Sequence, residues 1–482
     1  MVDLNVVAVD SHGEPVLDLA RDELRLTDSG RPETIAFFRL RDSKRGPFRP
    51  LGLNEFSNRS ANNIPRATLI LFDLLNESFG TRGTAANELI RNLEALETPE
   101  YVYLYLLTLD GRLFPVHGLP PQGAVSPPEG APWTRQIKPL LEGALRDMQQ
   151  TRPVDIDVAV RVQITYSALS AIAAELSRVP GHKNIVWITD GVPIELGPNR
   201  SDTGDFVDFT PLLRQMSDEF DRSGVAIYPV RQIMLGTPTH IDDGLGPGPG
   251  TGPANTFTGL GSMDTLDQFA ELTGGRPDGG KDIGAAVRQA INDARSSYQI
   301  GYYPPETNWD DKYHKLRVTC TRKGVRIQAK TGYYAWREGP GRKAEEAIES
   351  TIPTTFDAAE IGLRATLSSD PKGGGTERLE ARIDAQDVLL VHEGNLYNGQ
   401  LRLAVVGYDP GGRPLRGPVI PLDLHYSAEE RERALQQGIV FSQIVVITEE
   451  LKKIRMIVFD RGSNAIGSVT IPVGDTAPGK GN

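Results

Sequence analysis

From residue 64 to residue 297, short apolar runs alternate with stretches whose apolar residues recur every third or fourth position. This is the pattern of a parallel sheet with crossover helices, and it constrains the fold more tightly than any other feature of the chain. The strand candidates are Thr68–Phe72, Tyr101–Thr108, Ile185–Thr189 and Val225–Val230. Between them Leu89, Leu93 and Leu96 share one helical face, as do Leu169, Ile172, Leu176 and Val179. Leu213, Met216 and Phe220 repeat the spacing ahead of Gly224, which has the place of a C-terminal cap. Two further stripes follow: Leu266, Phe269 and Leu272, then Ile283, Val287, Ile291 and Ala294. Such stripes are first of all core, so they predict helices packed on a sheet and nothing more specific.

The flanks read differently. Residues 1–42 and 298–336 hold short strand-like segments separated by turn residues, and the two segments bracket the α/β region. They are expected to pair into one sandwich with the α/β domain (64–297) inserted between its strands. Residues 43–64 are polar and carry Pro47 and Pro50, which reads as a linker. The charged stretch 337–354 reads as a second linker or a short helix. From 355 to 474, strand-like segments at Ala381–Val391, Leu401–Tyr408, Ile439–Ile447, Arg455–Phe459 and Ile466–Val473 predict a C-terminal β-sandwich-like domain. The expected class is α/β, a doubly wound, mostly parallel sheet with flanking all-β sandwich-type domains.

Composition narrows the partners. A net charge of −11 argues against nucleic acid, because phosphate binding requires a basic face. No apolar run reaches the roughly 18 residues of a membrane-spanning helix, so no transmembrane segment is expected. The single cysteine, Cys320, excludes an internal disulfide and a cysteine-based metal site. The chain enters a strand-like segment at Val2, without the charged and apolar regions of a signal peptide.

In a doubly wound sheet, ligands sit beyond the carboxyl ends of the strands, near the point where strand order reverses. Asp73 follows the run Leu69–Phe72, and Thr189-Asp190-Gly191 follows Ile185–Ile188. A single Asp in such a place commonly only caps the next turn. Two of them, at the ends of two predicted strands, fall on one edge of the sheet and point to a site. His182 stands at the opposite edge and reads as a turn histidine. His240-Ile241-Asp242-Asp243 leads into the Gly/Pro-rich stretch Gly244–Gly252, a loop expected to hang over the same edge as Asp73 and Asp190.

The segments "ILFDLLNES", "ITYSALSAIAAEL", "KNIVWITDG", "VAIYPV" and "TLDQFAELTGGRPDGGKDIGAAVRQAI" occur in the order of a von Willebrand factor A domain. With "RVPGHKNIVW" and the flanks "VVAVDSHGEPVLDLARDELRLTDSGRPETIAFF" and "SSYQIGYYPPE", residues 1–336 resemble the VWFA-related domain family of Acidobacteria. The resemblance implies export to the periplasm or beyond, and a metal-ion-dependent adhesion site. In that site a hard divalent ion takes oxygens from an Asp-x-Ser-x-Ser loop, a Thr and a further Asp, leaving one position for a partner's carboxylate. Asp73, Thr165 and Asp190 match the first Asp, the Thr and the last Asp. Leu75 and Glu77 stand where the serines belong, with Asn76 and Ser78 one residue out of step. Leu75 has no ligand atom, and Glu77 adds a charge. The candidate metal ligands are therefore Asp73, Glu77, Ser78, Thr165 and Asp190, in a degenerate site. The expectation is no bound cofactor, with one divalent cation of the Mg2+ kind as the alternative.

Catalytic signatures are missing: there is no Gly-x-Ser-x-Gly, no His-Glu-x-x-His and no phosphate-binding Gly-x-x-x-x-Gly-Lys followed by Ser or Thr. The expected function is a non-catalytic binding or adhesion module for an unidentified protein or polysaccharide. The alternatives are a metal-assisted hydrolase using Asp73, Glu77 and Asp190, and a purely architectural envelope protein.

Overall fold

The structure, a computed structural model, describes residues 2–42, 51–52, 54–59, 66–76, 79–94, 101–119, 138–150, 156–176, 182–192, 195–196, 207–231, 260–276, 282–305, 310, 312–335, 344–354, 357–369 and 375–473. Glu77, Ser78, Leu96, Val179, His240 and the stretch Gly244–Gly252 lie outside the described residues.

Five strands open the chain: β1 (Val2–Val9), β2 (Leu24–Asp28), β3 (Arg31–Glu33), β4 (Phe37–Asp42) and β5 (Glu55–Ser57). The α/β unit follows with β6 (Arg66–Asp73), α1 (Phe79–Glu94), β7 (Val102–Leu107), β8 (Leu113–His117), α2 (Lys138–Gln150) and α3 (Val158–Leu176). It continues through β9 (His182–Ile188), β10 (Glu195–Leu196), β11 (Val207–Asp208), α4 (Thr210–Ser223), β12 (Val225–Val230), α5 (Leu260–Thr273) and α6 (Ile283–Arg295). Then come β13 (Ser296–Tyr302), β14 (Tyr313–Cys320), β15 (Arg326–Gln328), β16 (Gly332–Tyr334) and α7 (Ala344–Thr351). The last part holds β17 (Leu363–Ser369), β18 (Thr376–Ile383), β19 (Val391–Glu393), β20 (Leu396–Tyr408) and β21 (Pro414–Tyr426). After α8 (Ala428–Gln437) it ends with β22 (Ile439–Val446), β23 (Lys453–Asp460) and β24 (Ile466–Pro472).

The molecule is mixed α/β, with one parallel-containing sheet and several antiparallel ones. The central sheet runs β12-β9-β6-β7-β8; its first four strands are parallel and β8 is antiparallel. Alternate residues of its strands enter two cores. Leu69, Leu71, Tyr105, Ile185 and Trp187 pack under α3, α4 and α5. Ile70, Phe72, Leu104, Val186 and Tyr228 pack under α1, α2 and α6. Helices on both faces explain why these strands read as unbroken apolar runs instead of alternating ones. Each fully buried Leu, Ile or Phe contributes about 1.5–3 kcal/mol. Gly224 does end α4, at φ +63°.

The Thr273-Gly274-Gly275 sequence closes α5 against β12. Thr273 Oγ1 accepts a hydrogen bond from Ile227 N at 3.0 Å. A Cβ on Gly275 would lie 1.8 Å from the Ile227 carbonyl oxygen, so only glycine allows this approach.

On the N-terminal side, β1 and β4 both pair antiparallel with β13, and β2 pairs with β14. Val2 meets Tyr302 and Leu26 meets Val318. The sheets β15-β1-β13-β4 and β16-β14-β2-β3 share one core, which includes Leu4, Leu24, Ile300 and Leu316. At its centre Asp28 is buried and accepts hydrogen bonds from Tyr302 Oη at 2.8 Å and Tyr333 Oη at 3.1 Å.

Two segments between the expected domains carry structure, the first as the short helix that was the alternative to a linker and the second as a strand where a linker was expected. Ala344–Thr351 forms a helix because Ala344, Ala347, Ile348 and Thr351 make one buried face, packed on Ile457 and Phe459 of β23. Within 43–64, β5 adds to the edge of β17, where Phe56 meets Ala365. The C-terminal sheets are β22-β18-β17-β5 and β19-β20-β23-β24, with β21 also on β20. They enclose Leu363, Leu379, Leu403, Met456 and Val469. Strands β17 and β21 and helix α8 were not legible as such. β21 is mostly exposed and carries Pro414, Pro418 and Pro421, which blur strand periodicity. α8 is announced only by its capping box, Ser427 with Glu430.

Polar groups join the two sandwiches. Arg39 Nη2 donates to Gln299 Oε1 at 2.7 Å, and Nη1 donates to the Glu360 carbonyl. Within the C-terminal sandwich, Arg59 next to β5 pairs with Asp384 at 3.0 Å and with Asp387 at 2.5 Å. Beside them Asn464 Nδ2 donates to Asp3 Oδ2 at 3.2 Å, and Tyr303 Oη donates to the Gly462 carbonyl at 2.9 Å.

Candidate functional site

Strand order reverses at β6, which has β7 on one side and β9 on the other. A crevice beyond the strand ends is therefore expected above β6 and β9. Asp73 ends β6, and Thr189 and Asp190 follow β9. Because Leu71 is level with Trp187, strand alternation sets Asp73, Trp187 and Thr189 on the same face, towards α3.

Asp73 is fully buried, and its carboxylate is surrounded by protein donors. Oδ1 accepts from the Asn76 backbone N–H at 3.1 Å. Oδ2 accepts from Asn76 Nδ2 at 2.8 Å, Thr189 Oγ1 at 3.0 Å and Trp187 Nε1 at 3.1 Å. Four protein donors thus meet the carboxylate, three on Oδ2 and one on Oδ1. Burial pushes the Asp73 carboxyl above its ordinary value, while the bonds from Asn76, Thr189 and Trp187 pull against that shift.

The second N–H of the Asn76 amide reaches Thr165 Oγ1 at 2.6 Å, and Thr165 in turn donates to the Arg161 carbonyl at 2.8 Å. Asn76 thus stands between the two oxygens expected to share an ion. Its own Oδ1 is buried without a hydrogen-bond partner, so its two N–H bonds hold the side chain. Leu75, at a serine position of the motif, is buried in the core under α3. Trp187 fixes the floor, with its ring set edge-on to Phe269 at 5.7 Å between centroids.

Asp190 is placed differently. Its carboxylate lies 3.9 Å from the Arg231 guanidinium, and Arg231 Nη2 donates to the Asp190 carbonyl at 2.7 Å. Arg231 directly follows β12, the strand beside β9. At the end of β7 another acid–base pair, Asp110 and Arg112, is exposed at 2.7 Å. Each rim carboxylate described here has an arginine beside it.

The structure therefore brings Asp73 and Thr165 together through Asn76, and sets Asp190 against Arg231. Glu77 and Ser78 lie outside the described residues. This donor set does not fit a divalent ion held by Asp73 and Thr165, because an amide already occupies the place between them. Among the described residues no three His, Cys, Asp or Glu side chains form a metal-binding group. Asn76, Trp187, Thr189 and Arg231 carry the arrangement, and the motif singles out none of them. The alternation of β9 is the one local signal that sets Trp187 and Thr189 facing Asp73.

No family model matches the chain, and no curated protein matches it. Among solved structures, the human COPII-coat protein Sec24c is similar with TM-score 0.27 and 11% identity, over 60% of this chain and 47% of that one. The chain thus spans about half the length of that protein. An aerotolerance-related membrane protein from Bacteroides fragilis is similar with TM-score 0.25 and 12% identity, over 47% of this chain and 98% of that one. Likeness at this level carries no argument about function, so the fold rests on strand order. No helix among the described residues is long and apolar enough to cross a membrane.

Proposed function

We propose that the chain is an exported, non-catalytic binding module of the von Willebrand factor A-like kind, whose upper sheet edge is held in shape by protein donors in place of a metal ion. The observation that carries this reading is the buried Asp73 carboxylate that accepts four hydrogen bonds from the protein. A buried carboxylate held by four donors is costly to strip of them, so it serves as a structural pivot for the β6 and β9 ends. Binding then falls to the rim, where Asp110, Arg112, Asp190 and Arg231 present paired charges. Such a rim suits a polar protein or polysaccharide surface and gives salt-sensitive association. A hydrolase reading is less well supported, since it needs Asp73 free to hold a metal or activate water.

The test combines thermal melts with binding measurements against candidate proteins and polysaccharides, each in chelator and in millimolar Mg2+, Mn2+ or Ca2+. The expected result is an unchanged melting temperature, with equal binding in both conditions that weakens in Arg231→Ala. A cation-induced stabilisation abolished in Asp73→Ala, or a partner held only in the presence of metal, would overturn the proposal. Ester, phosphoester or glycoside turnover that depends on Asp73 would overturn it as well.

A further inference from the structure

Open sheets carry a hazard at their edges, and most edge strands of this molecule are blunted. β3, β5, β15, β16 and β19 are three residues long. β8 and β12 carry a proline, and β4 carries three charged residues. The long β21 is interrupted by prolines and by a bulge opposite Ala404–Val406. These are the usual devices against edge-to-edge pairing.

β22 has none of them. It is eight residues long, IVFSQIVV, with no charge, proline or glycine. It pairs with β18 from Ile439↔Ile383 to Val446↔Thr376 without a register shift, and among the described strands with β18 alone. Its outward residues include Val440, Ile444 and Val446, which are 52%, 42% and 66% exposed. On its inner side, at the middle of the strand, Gln443 Oε1 is buried without a hydrogen-bond partner.

We propose that β22 is a self-association edge, at which two copies of this chain pair antiparallel about a two-fold axis through Gln443. This register overlaps the whole strand and joins two four-stranded sheets into one of eight. Val440 of each copy then lies opposite Val446 of the other, and Ser442 opposite Ile444, so exposed apolar side chains meet and no like charges oppose. Gln443 lies opposite its own copy, where directly facing Cβ atoms are about 4.5–5.5 Å apart. At that separation each side-chain amide reaches the other, and the partner's Nε2 supplies the donor that Oε1 lacks. A foreign strand offers this match only by chance, whereas a second copy offers it by symmetry.

Analytical ultracentrifugation of the full chain from about 1 to 100 μM tests this, because strand pairing alone makes a small, weak interface. The expected result is a concentration-dependent dimer, with β22 amides exchanging hydrogen more slowly as concentration rises. Ile444→Lys sets a charge into the apolar contact, and Gln443→Glu sets two carboxylates face to face. Each should weaken the dimer at least tenfold at neutral pH, and lowering the pH should restore pairing only in Gln443→Glu. Melting temperatures of the monomeric variants confirm that they fold. A chain that stays monomeric across the range, β22 exchange independent of concentration, or a dimer indifferent to both variants would overturn the proposal.

Discussion

Asp73, at the top of the α/β sheet, and Asp3, at the junction of the two sandwiches, are both desolvated, yet their surroundings differ. Asp73 accepts four hydrogen bonds from three residues. Asp3 accepts one, from Asn464, and its Oδ1 is buried with no partner. Burial raises the Asp3 carboxyl to about 6, with the Asn464 bond and the charge of Lys330 opposing it only in part. Desolvation raises both carboxyls; at Asp73 four bonds work against it, at Asp3 only one. The α/β unit has invested its donors at the site. The junction leaves a carboxyl that is at ease only when protonated.

The largest expected effect comes from removing the better-served charge. Asp73→Ala strands the Trp187, Thr189 and Asn76 donors in the core and should cost about 3–5 kcal/mol in urea unfolding. A loss below about 1 kcal/mol would show that the four bonds do not hold the site.

Asn76→Asp should be next. It replaces the amide between Asp73 and Thr165 by a second carboxylate, costing about 2–4 kcal/mol in chelator. The same change should create a need for cation: millimolar Ca2+ or Mg2+ should recover much of the loss in the variant and do nothing for the parent. Equal responses from both proteins would mean that the amide is not standing in for an ion.

Asp3 should respond with the opposite sign. Its folded-state carboxyl is raised, so its contribution to stability is full below the ordinary value of 3.8 and is lost as pH rises through about 6. Asp3→Asn removes that loss and should stabilise the protein by about 1–3 kcal/mol at pH 7, with little gain at pH 4. Stability curves of the two proteins that run parallel between pH 4 and 7 would break the contrast with Asp73.

The smallest change is Thr189→Val. It deletes one of the four donors to Asp73 while keeping the side-chain shape, and should cost about 1.5 kcal/mol. With that donor gone the Asp73 carboxyl should rise further, so the loss should be larger at pH 7 than at pH 4, and a loss that does not depend on pH would show that Thr189 does not hold the charged form.

Much of this architecture is written locally. Fully buried strands such as Val102–Leu107 and Val225–Val230 read as apolar runs, and helix faces such as Leu169, Ile172 and Leu176 repeat at helical spacing. Asp73 and Asp190 could be assigned to one sheet edge because each directly follows a strand. β21 escaped notice because an exposed strand with three prolines has neither an apolar run nor clean alternation. The meaning of Asn76 escaped for another reason. A motif compares residue types at fixed offsets, whereas Asn76 acts by bridging Asp73 to a threonine 89 positions away.

Period and polarity are local properties of a chain, and they were enough to mark the main strands and helices of the α/β unit and to set Asp73 and Asp190 on one edge of its sheet. Tertiary structure alone decided that Val2 lies against Tyr302, that Phe56 completes a sheet with Ala365, and that Asp190 faces Arg231. It also decided that the Asn76 amide bridges Asp73 and Thr165. Those outcomes depend on which edges and donors remain available once the cores have closed, and in a folded chain that is settled by contacts between residues far apart in sequence.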